Sequence, residues 1–389
     1  MADPVKILIV DDSKVFRTIL EKIISGIAGV QVVGTADSGI TAIEFLRMRT
    51  VDLMTLDVEM PGMDGLETLK KMLACKKELK NTPDVLMVSS LTRTGSDTTL
   101  KALEYGAFDF IAKPAPEVPN SQESLTRMLQ NAIAAWHSRK NRRVPLTRPG
   151  YTPGTSSASG APGPFEHKPG DITSGRIPVA PTGFTYQLAK PSPHTKAIMA
   201  ITIGVSTGGP KSLAEMLPKL CSMTTLPILL VQHMPPNFTK SLADSLNAKC
   251  SHEVVEGLPG TVVKDKTVYI APGGNHMTVK ARGSQFILEN NQDPPENGCR
   301  PSVDVLFRSV AAAYPPDTVV GVILTGMGND GTPSLPHLKN KNAYLIAQDE
   351  DSSVVFGMPR AAAATGLLDK VATLMKIPEA VMERVKITG

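Results

Sequence analysis

A stretch rich in Pro, Gly, Ser and Thr near the middle of the chain limits what this sequence can fold into. It covers residues 144–195 and includes the run PLTRPGYTPGTSSASGAPGP. A segment with so little apolar surface cannot offset the entropy lost when its backbone is ordered. We therefore expect a flexible linker there, which divides the chain into one domain over residues 1–143 and a second over residues 196–389.

The composition is that of a globular protein, with 41% hydrophobic and 20% charged residues in a chain of 389. The apolar runs are too short for a membrane-spanning helix, which needs roughly 20 residues, and the start MADPVKILIVDD has no export leader. The net charge of +4 is weak for a nucleic-acid binder. Four cysteines without a C-x-x-C pair argue against a zinc site and a disulfide framework. We expect a cytoplasmic protein that is not an integral membrane protein and binds no nucleic acid.

The first domain alternates strand and helix patterns. Ser13 can cap an amphipathic helix, and residues 124–139 form another that closes the domain. Between the helices lie short apolar runs that end in polar residues: Ile7–Val10, Val51–Leu56, Val85–Val88 and Phe108–Ala112. This alternation predicts an α/β fold with a five-stranded parallel sheet of flavodoxin-like type.

Polar side chains follow the strands of this predicted sheet. Asp11 and Asp12 come after the first strand, Asp57 after the third, Ser89 after the fourth and Lys113 after the fifth. The carboxyl ends of parallel strands meet at one edge, where three carboxylates would repel each other without a cation. Oxygen ligands favour a hard ion, most simply Mg²⁺. The pattern predicts phosphoryl transfer onto Asp57, with the lysine and the serine contacting phosphoryl oxygens.

Residues 1–140 resemble a response-regulator receiver domain through "VDDS", "LDVEMPGMDG" and "FIAKP", and more narrowly the receiver of chemotaxis methylesterases. The resemblance implies that Asp57 is phosphorylated and that Asp11, Asp12 and Asp57, with the backbone carbonyl of Glu59, bind Mg²⁺. It also implies that Ser89 and Lys113 sense the phosphoryl group and that Phe110 is the aromatic switch.

The second domain also alternates strands and helices, which predicts a doubly wound, mostly parallel sheet. Ser206 lies in Gly204-Val205-Ser206-Thr207-Gly208, the G-x-S-x-G spacing of a nucleophile elbow. His233 follows the next strand, and Asp330 follows a later one. A nucleophile, a base and a carboxylate that orients the base are the parts of a catalytic triad.

Each of these residues also has a simpler interpretation. Ser206 could cap the following helix, His233 could be a loop histidine, and Asp330 could be a turn residue. A glycine-rich turn at a helix start could instead hold a phosphate. That alternative is weakened because neither G-x-G-x-x-G nor the P-loop pattern occurs.

Residues 196–389 resemble the catalytic domain of the protein-glutamate methylesterases, the CheB family of chemotaxis regulators. The resemblance rests on motifs in the same order: "IGVSTGGP", "VQHMPPNFTKSLA", "YIAPGGNHM", "RPSVDVLF", "ILTGMGNDG" and "AQDEDSSVVFGMPRAA". It implies Ser206 as nucleophile, His233 as general base and then acid, and Asp330 as the residue that orients His233. The backbone N–H groups of Thr207 and Met327 would donate to the oxyanion, and this domain would need no cofactor.

Some positions depart from the usual pattern of that family. Val205 replaces an alanine, and Ser334 and Asn342 replace glycines. Asparagine accepts left-handed backbone better than most residues, so we expect Asn342 to be tolerated. Pro333 and Pro336 should delay the helix that follows Asp330.

The resemblance implies hydrolysis of glutamate methyl esters on methyl-accepting chemoreceptors, with release of methanol, and deamidation of receptor glutamines. A chemotaxis histidine kinase would be the phosphodonor, and the enzyme would be a monomer. The unphosphorylated receiver would cover the catalytic cleft through apolar surface near Phe110. Two alternatives stay open: the same hydrolase acting on a protein outside chemotaxis, and a catalytically silent, phosphorylation-dependent binding module.

Overall fold

A computed structural model describes residues 3–114, 121–142, 186–190 and 192–386. The predicted linker lies largely outside these residues. Its described parts, 186–190 and 192–195, contact the second unit: the Tyr186 ring packs edge-to-face on Phe356, and the Ser192 hydroxyl donates to Asn342. We therefore describe them together with that unit.

The first unit is a parallel sheet between helices, as the strand and helix patterns predict. In order across the sheet its strands are β2-β1-β3-β4-β5, and every pairing is parallel. The strands are β1 (Val5–Val10), β2 (Val30–Ala36), β3 (Leu53–Asp57), β4 (Asp84–Ser89) and β5 (Asp109–Ala112). The helices are α1 (Lys14–Ser25), α2 (Gly39–Met48), α3 (Gly65–Ala74), α4 (Arg93–Glu104) and α5 (Ser121–Arg142).

This strand order is that of flavodoxin-like domains, in which the chain reverses direction between β1 and β3. The predicted cap on α1 is present, since the Ser13 hydroxyl accepts a hydrogen bond from the amide of Phe16. The helix predicted over residues 124–139 is α5, which is longer at both ends. Asp11 and Asp57 lie at the crevice that the reversal opens, because Asp11 directly follows β1 and Asp57 ends β3.

The second unit contains a seven-stranded sheet in the order β14-β13-β12-β6-β7-β9-β8, parallel throughout, and an antiparallel hairpin, β10-β11. The strands are β6 (Ala200–Val205), β7 (Ile228–Gln232), β8 (Glu253–Glu256), β9 (Thr267–Ile270), β10 (His276–Arg282), β11 (Gln285–Asn291), β12 (Val319–Ile323), β13 (Tyr344–Gln348) and β14 (Lys370–Ala372). The helices are α6 (Gly209–Met223), α7 (Phe238–Asn247), α8 (Val303–Ala313), α9 (Leu335–Lys339), α10 (Met358–Ala364) and α11 (Ile377–Lys386).

The order of the strands decides where the functional residues meet. The chain runs outward from β6 through β7 to β8 and β9, and later returns to build β12, β13 and β14 on the other side of β6. The sheet therefore reverses between β6 and β12, and ligands of such sheets bind in the crevice at that point. The sequence departures fit the fold: Asn342 has φ 53°, and Pro336 lies in the first turn of the short α9.

A buried ion pair joins the ends of the second unit. The carboxylate of Asp317 accepts from the Arg384 guanidinium at 2.8 Å, from His194 at 2.6 Å, and from the amides of Thr195 and Lys196. The Arg384 side chain is fully buried. Burial alone would raise the pKa of Asp317, but these donors outweigh it and lower that pKa well below its usual range.

We expect Asp317→Asn to lower the free energy of unfolding by about 3–5 kcal/mol, because it leaves a buried arginine without its anion. A carboxylate whose pKa is lowered on folding stabilises the fold above its unfolded pKa of about 3.9 and ceases to do so as pH falls through its folded pKa. The difference from the original protein should therefore narrow below about pH 4. Calorimetric unfolding across this range measures it. The exposed Asp293→Asn should leave unfolding unchanged, and equal loss in both variants would contradict the ion-pair argument.

Candidate active site

Three side chains predicted to act together meet at the reversal of the second sheet. Ser206 follows β6, His233 follows β7 and Asp330 lies in the loop after β12. Ser206 Oγ is 3.1 Å from His233 Nδ1, and His233 Nε2 is 2.7 Å from Asp330 Oδ2. Both distances are within hydrogen-bond range. The geometry therefore brings together a hydroxyl, an imidazole and a carboxylate in the relation that a triad requires.

The turn around Ser206 shows why the serine is not a helix cap. Helix α6 begins at Gly209, and its cap position is Gly208, which has φ 75° and offers no side chain. A Cβ on Gly208 would also lie 2.4 Å from the side chain of Val354, so glycine is required there. The amide of Ser206 donates to Thr325 and its carbonyl accepts from Gly209. The backbone of Ser206 is thus fixed by the turn, and its hydroxyl is left to His233.

Asp330 is held as an anion by many donors. Oδ1 accepts from the Asn297 amide group at 2.9 Å and from the Ser302 hydroxyl at 2.8 Å. Oδ2 accepts from the Val303 amide at 2.7 Å in addition to His233. Burial would raise the pKa of Asp330, but His233, Val303 and Asn297 outweigh it and lower that pKa well below its usual range. Since Val303 begins α8, the carboxylate also lies at the positive end of that helix.

His233 is oriented by this carboxylate. A carboxylate can only accept, so Nε2 carries the proton of the neutral ring and Nδ1 presents its lone pair to Ser206. Burial would lower the pKa of His233, but nearby Cys299 and Asp330 outweigh it and raise that pKa. A base of raised pKa accepts the serine proton more readily, while Asp330, with its lowered pKa, does not take that proton in turn.

The predicted oxyanion donors lie next to this group. Thr207 directly follows Ser206, and Met327 belongs to the loop between β12 and Asp330, whose Gly326 carbonyl accepts from Met358. Within the described residues, no hydrogen bond engages the backbone amide of Thr207 or of Met327. Both amides are therefore available to a negative oxygen near Ser206.

Two further residues of this site, Asn297 and Cys299, belong to a tight turn and were not predicted from the sequence. Asn297 and Gly298 have φ values of 53° and 74°, and Glu296 and Cys299 exchange backbone hydrogen bonds across them. This is the two-residue turn that an Asn-Gly dipeptide favours, so the local signal was in the sequence. The turn places Asn297 against Asp330 and puts Cys299 Sγ 3.5 Å from His233 Nδ1.

The acidic residues predicted in the first unit also come together. Ligand atoms of Asp11, Asp12 and Asp57 lie within 4.8 Å of one another. Lys113 Nζ is 2.8 Å from Asp11 Oδ2 and 2.9 Å from Asp57 Oδ2. Burial, aided by the charge of Asp11, raises the pKa of Asp57 to about 6, although Lys113 opposes it. Among the described residues, Lys113 is the only lysine that contacts Asp11 and Asp57. One positive charge does not balance two carboxylates, so the pocket keeps excess negative charge.

Mg²⁺ fits this pocket by charge and by ligand type. Asp11 and Asp57 are buried, Asp12 is exposed, and all three offer oxygen atoms. Such a donor set suits a hard divalent ion. The amide of Glu59 lies 3.4 Å from Asp57 Oδ1, while its side chain accepts from the hydroxyls of Ser90 and Thr92. The carbonyl of Glu59 stays a predicted ligand.

The remaining predicted sensing residues border this pocket. Ser89 ends β4 and is fully buried, and its hydroxyl donates to the carbonyl of Ser90. Phe110 in β5 lies three residues before Lys113, and its ring points to the second unit. It stacks on Phe238 of α7 with ring centroids 4.6 Å apart. The apolar contact predicted near Phe110 is therefore present in the structure.

The first unit also contacts the residue next to Ser206. The carboxyl of Asp109 in β5 lies near the Thr207 side chain. Burial raises the pKa of Asp109 to about 7, although the Phe110 amide and Thr207 oppose it. Farther along the interface, the hydroxyls of Ser96 and Ser241 lie 2.9 Å apart. These contacts place β5 and α4 of the first unit against the elements that carry the candidate triad.

The comparisons with known proteins agree with this picture. Residues 201–381 match the family model described as CheB methylesterase, and residues 7–121 match the response regulator receiver domain. A protein-glutamate methylesterase/protein-glutamine glutaminase of Desulfotalea psychrophila is 39% identical over 385 residues, covering 98% of this chain and 99% of its own length. A protein of the same name from Halalkalibacterium halodurans is 39% identical over 386 residues, covering 99% and 100%. The crystal structure of the Thermotoga maritima CheB methylesterase catalytic domain is 40% identical, covers 48% of this chain and 99% of that one, and has a TM-score of 0.47.

We expect Asp330→Asn to slow labelling of Ser206 by a fluorophosphonate about 10³–10⁴-fold, because the amide no longer holds His233 in the tautomer that serves Ser206. Asp293→Asn is the control, since Asp293 is exposed and its side chain has no described contact with the triad. Labelling is followed by mass spectrometry of the intact protein. Equal rates in the two variants would contradict the assigned role of Asp330.

Proposed function

The chain belongs to the CheB methylesterase family, and from that premise we propose that Ser206, His233 and Asp330 carry out its ester hydrolysis. The protein is a protein-glutamate methylesterase/protein-glutamine glutaminase controlled by a receiver domain. The observation that carries the assignment of residues is the continuous hydrogen-bonded chain from Ser206 Oγ through His233 to Asp330.

In the proposed reaction Ser206 Oγ attacks the γ-carbonyl carbon of a glutamate methyl ester while His233 Nδ1 takes the hydroxyl proton. The backbone amides of Thr207 and Met327 hydrogen-bond the negative oxygen of the tetrahedral intermediate. The C–O bond to the methoxy group then breaks, and His233 returns the proton so that methanol leaves.

Hydrolysis of the acyl-enzyme uses the same groups. His233 removes a proton from a water molecule, the hydroxide adds to the acyl carbon, and Ser206 leaves with the proton from the imidazolium. Deamidation of glutamine follows the same route, with ammonia as the leaving group. Asp330 stays ionised throughout, because its lowered pKa keeps it from taking the proton of the imidazolium.

The proposed substrate is a methylated glutamate on the cytoplasmic helices of a methyl-accepting chemoreceptor. Because these helices lie in the cytoplasm, the enzyme is proposed to work there. The phosphodonor is a histidine kinase of the same signalling system. Among the described helices, none combines the length and the apolar composition needed to span a bilayer.

Residues 1–143 are the proposed receiver domain and residues 196–389 the proposed catalytic domain, with 144–195 as the linker. The contacts of 186–190 and 192–195 with the second unit support an ordered region that begins before residue 196. The family models, which end at residue 121 and resume at residue 201, support the same division.

Phosphorylation is proposed to act on Asp57, with Asp11, Asp12, Asp57 and the carbonyl of Glu59 holding Mg²⁺. When bound, the ion would neutralise charge as an anionic phosphoryl group approaches. Lys113 and Ser89 would then contact the phosphoryl oxygens. Because Lys113 now pairs with both Asp11 and Asp57, a phosphoryl group must change those ion pairs.

Strand β5 supports a direct link from the phosphorylation site to the active site. It spans only Asp109–Ala112, and Lys113 follows it immediately. Asp109 lies near Thr207, which is next to the nucleophile, and Phe110 stacks on Phe238. A movement of Lys113 toward a phosphoryl group would therefore pull on both contacts. In the unphosphorylated state these contacts hold the receiver over the site and restrict access of a helical substrate.

We expect Ser206→Ala to reduce release of methanol from methylated receptor membranes by several orders of magnitude, as loss of a triad nucleophile does elsewhere. Ser212→Ala in α6 is the matched control and should retain activity, because Ser212 makes no described side-chain contact with the triad. The experiment follows labelled methanol with phosphodonor and Mg²⁺ present. Near-normal turnover by Ser206→Ala would contradict the assigned nucleophile.

We expect Phe110→Ala to raise the unphosphorylated rate several-fold or more. A stacked aromatic pair contributes about 0.5–1.5 kcal/mol beyond its buried area, and its loss shifts the balance toward an undocked receiver. Asp57→Asn should keep the low rate with and without phosphodonor. If phosphodonor activates the original protein while the unphosphorylated Phe110→Ala variant has the same rate as the unphosphorylated original, the stack does not restrain the enzyme. If neither phosphodonor nor the Phe110→Ala substitution alters the rate, phosphorylation does not act by uncovering the site.

A further inference from the structure

The side chain of Cys299 lies at the active site but makes no bond and transfers no proton in the hydrolysis proposed above. Its Sγ is 3.5 Å from His233 Nδ1, the nitrogen that faces Ser206 Oγ. Ligand atoms of His233, Cys299 and Asp330 all lie within 4.8 Å of one another. Thiol and imidazole are ligands that zinc takes in proteins. The wide spacing of the cysteines argues against a zinc motif built from cysteines close in sequence. Folding nevertheless brings Cys299 next to His233, which is 66 residues away in the chain.

The separation of the two ligand atoms suits a single ion. Bonds of about 2.3 Å from zinc to sulfur and about 2.0–2.1 Å to nitrogen, at a tetrahedral angle, place the two ligand atoms roughly 3.5 Å apart. The observed separation of Cys299 Sγ and His233 Nδ1 is 3.5 Å. The two atoms are therefore at the separation that one tetrahedral ion requires.

Asp330 prepares His233 for this role as it does for catalysis. Histidines that bind metals usually donate their other ring N–H to a carboxylate, which fixes the tautomer. His233 Nε2 lies 2.7 Å from Asp330 Oδ2 in that arrangement. The lone pair on Nδ1 is the one that Ser206 needs for deprotonation, so a metal and the nucleophile compete for it.

The position is open to an ion from solvent. The side chain of His233 is 12% exposed, and Cys299 is only partly buried. The backbone of Cys299 is fixed by its two hydrogen bonds to Glu296 across the Asn297-Gly298 turn. The thiol is thus held next to His233 by the fold.

We propose that Cys299 and His233 form an inhibitory site for a thiophilic divalent cation, for which Zn²⁺ is the best fit. Binding forms a Zn–Sγ and a Zn–Nδ1 bond, and the Cys299 thiol releases its proton to solvent. Ser206 Oγ and water can supply the remaining ligands. The metal blocks hydrolysis because His233 can no longer accept the proton of Ser206. This effect on turnover rests on the proposed function, whereas metal binding itself does not depend on the substrate.

Titration of the full-length protein with Co²⁺, which substitutes for zinc and gives coloured complexes with thiolates, tests binding directly. We expect a near-ultraviolet thiolate-to-cobalt band that zinc abolishes by displacement. The oxygen ligands of Asp11, Asp12 and Asp57 cannot give this band. Cys299→Ser should remove it, and Cys75→Ser, a matched change in the receiver, should keep it. Asp330→Asn should weaken cobalt binding about 10–100-fold, as loss of a partner behind a ligand does.

Inhibition is measured as methanol release in the presence of phosphodonor and Mg²⁺, with each variant compared to its own rate without zinc. Zn²⁺ should inhibit the original protein and Cys75→Ser. A zinc-selective chelator that leaves Mg²⁺ in excess should restore activity. Cys299→Ser should need at least about tenfold more zinc, since a ligand contributes no less than an outer partner.

The two measurements separate the possible failures. If no thiolate band forms, or if it persists in Cys299→Ser, the metal site is wrong whatever the enzyme hydrolyses. If the band forms and depends on Cys299 but zinc inhibits Cys299→Ser equally, binding at Cys299 is not what inhibits. If methanol is not released under any condition while the band behaves as expected, the proposed function fails and the metal site stands.

Discussion

The rest of the active site depends on the hydrogen bonds that the carboxylate of Asp330 accepts. This carboxylate lies at the first turn of α8, accepts from Val303, Ser302 and Asn297, and bonds to His233. A buried anion is stable only when it is paired and hydrogen-bonded. These donors come from a tight turn, a helix start and a loop after another strand, so satisfying one carboxylate fixes all three relative to each other.

The same constraint gives the site its chemical asymmetry. The pKa of Asp330 is lowered, and that of His233 is raised. When His233 is protonated, the proton therefore stays on the imidazole and is not passed to Asp330. The Nδ1 atom of the ring faces the hydroxyl of Ser206. Cys299 lies on the same side of the ring, because the turn that gives Asn297 to Asp330 also carries the thiol. Catalysis and the proposed metal inhibition thus draw on one lone pair.

The proposed control of this site depends on the shortness of β5. The strand has Asp109 and Phe110 at its start, in contact with Thr207 and Phe238, and Lys113 directly after its end, in contact with Asp57. Few residues separate the two sets of contacts, so little flexible chain can absorb a movement between them. The contact of Asp109 with Thr207 reaches the residue next to the nucleophile without any intermediate.

The sequence by itself determined the two α/β units and the residues at the ends of their strands, because a buried parallel strand is a short apolar run and the residue after it reaches the sheet edge. Asp11, Asp57 and Lys113 meet as predicted, and so do Ser206, His233 and Asp330. Only the tertiary structure decided that Asn297 and Cys299 join that site and that Asp109 contacts Thr207. An Asn-Gly pair predicts a turn but not what the turn touches, since contacts between loops depend on how helices and sheets pack. Periodicity is local information, whereas the approach of two loops is not.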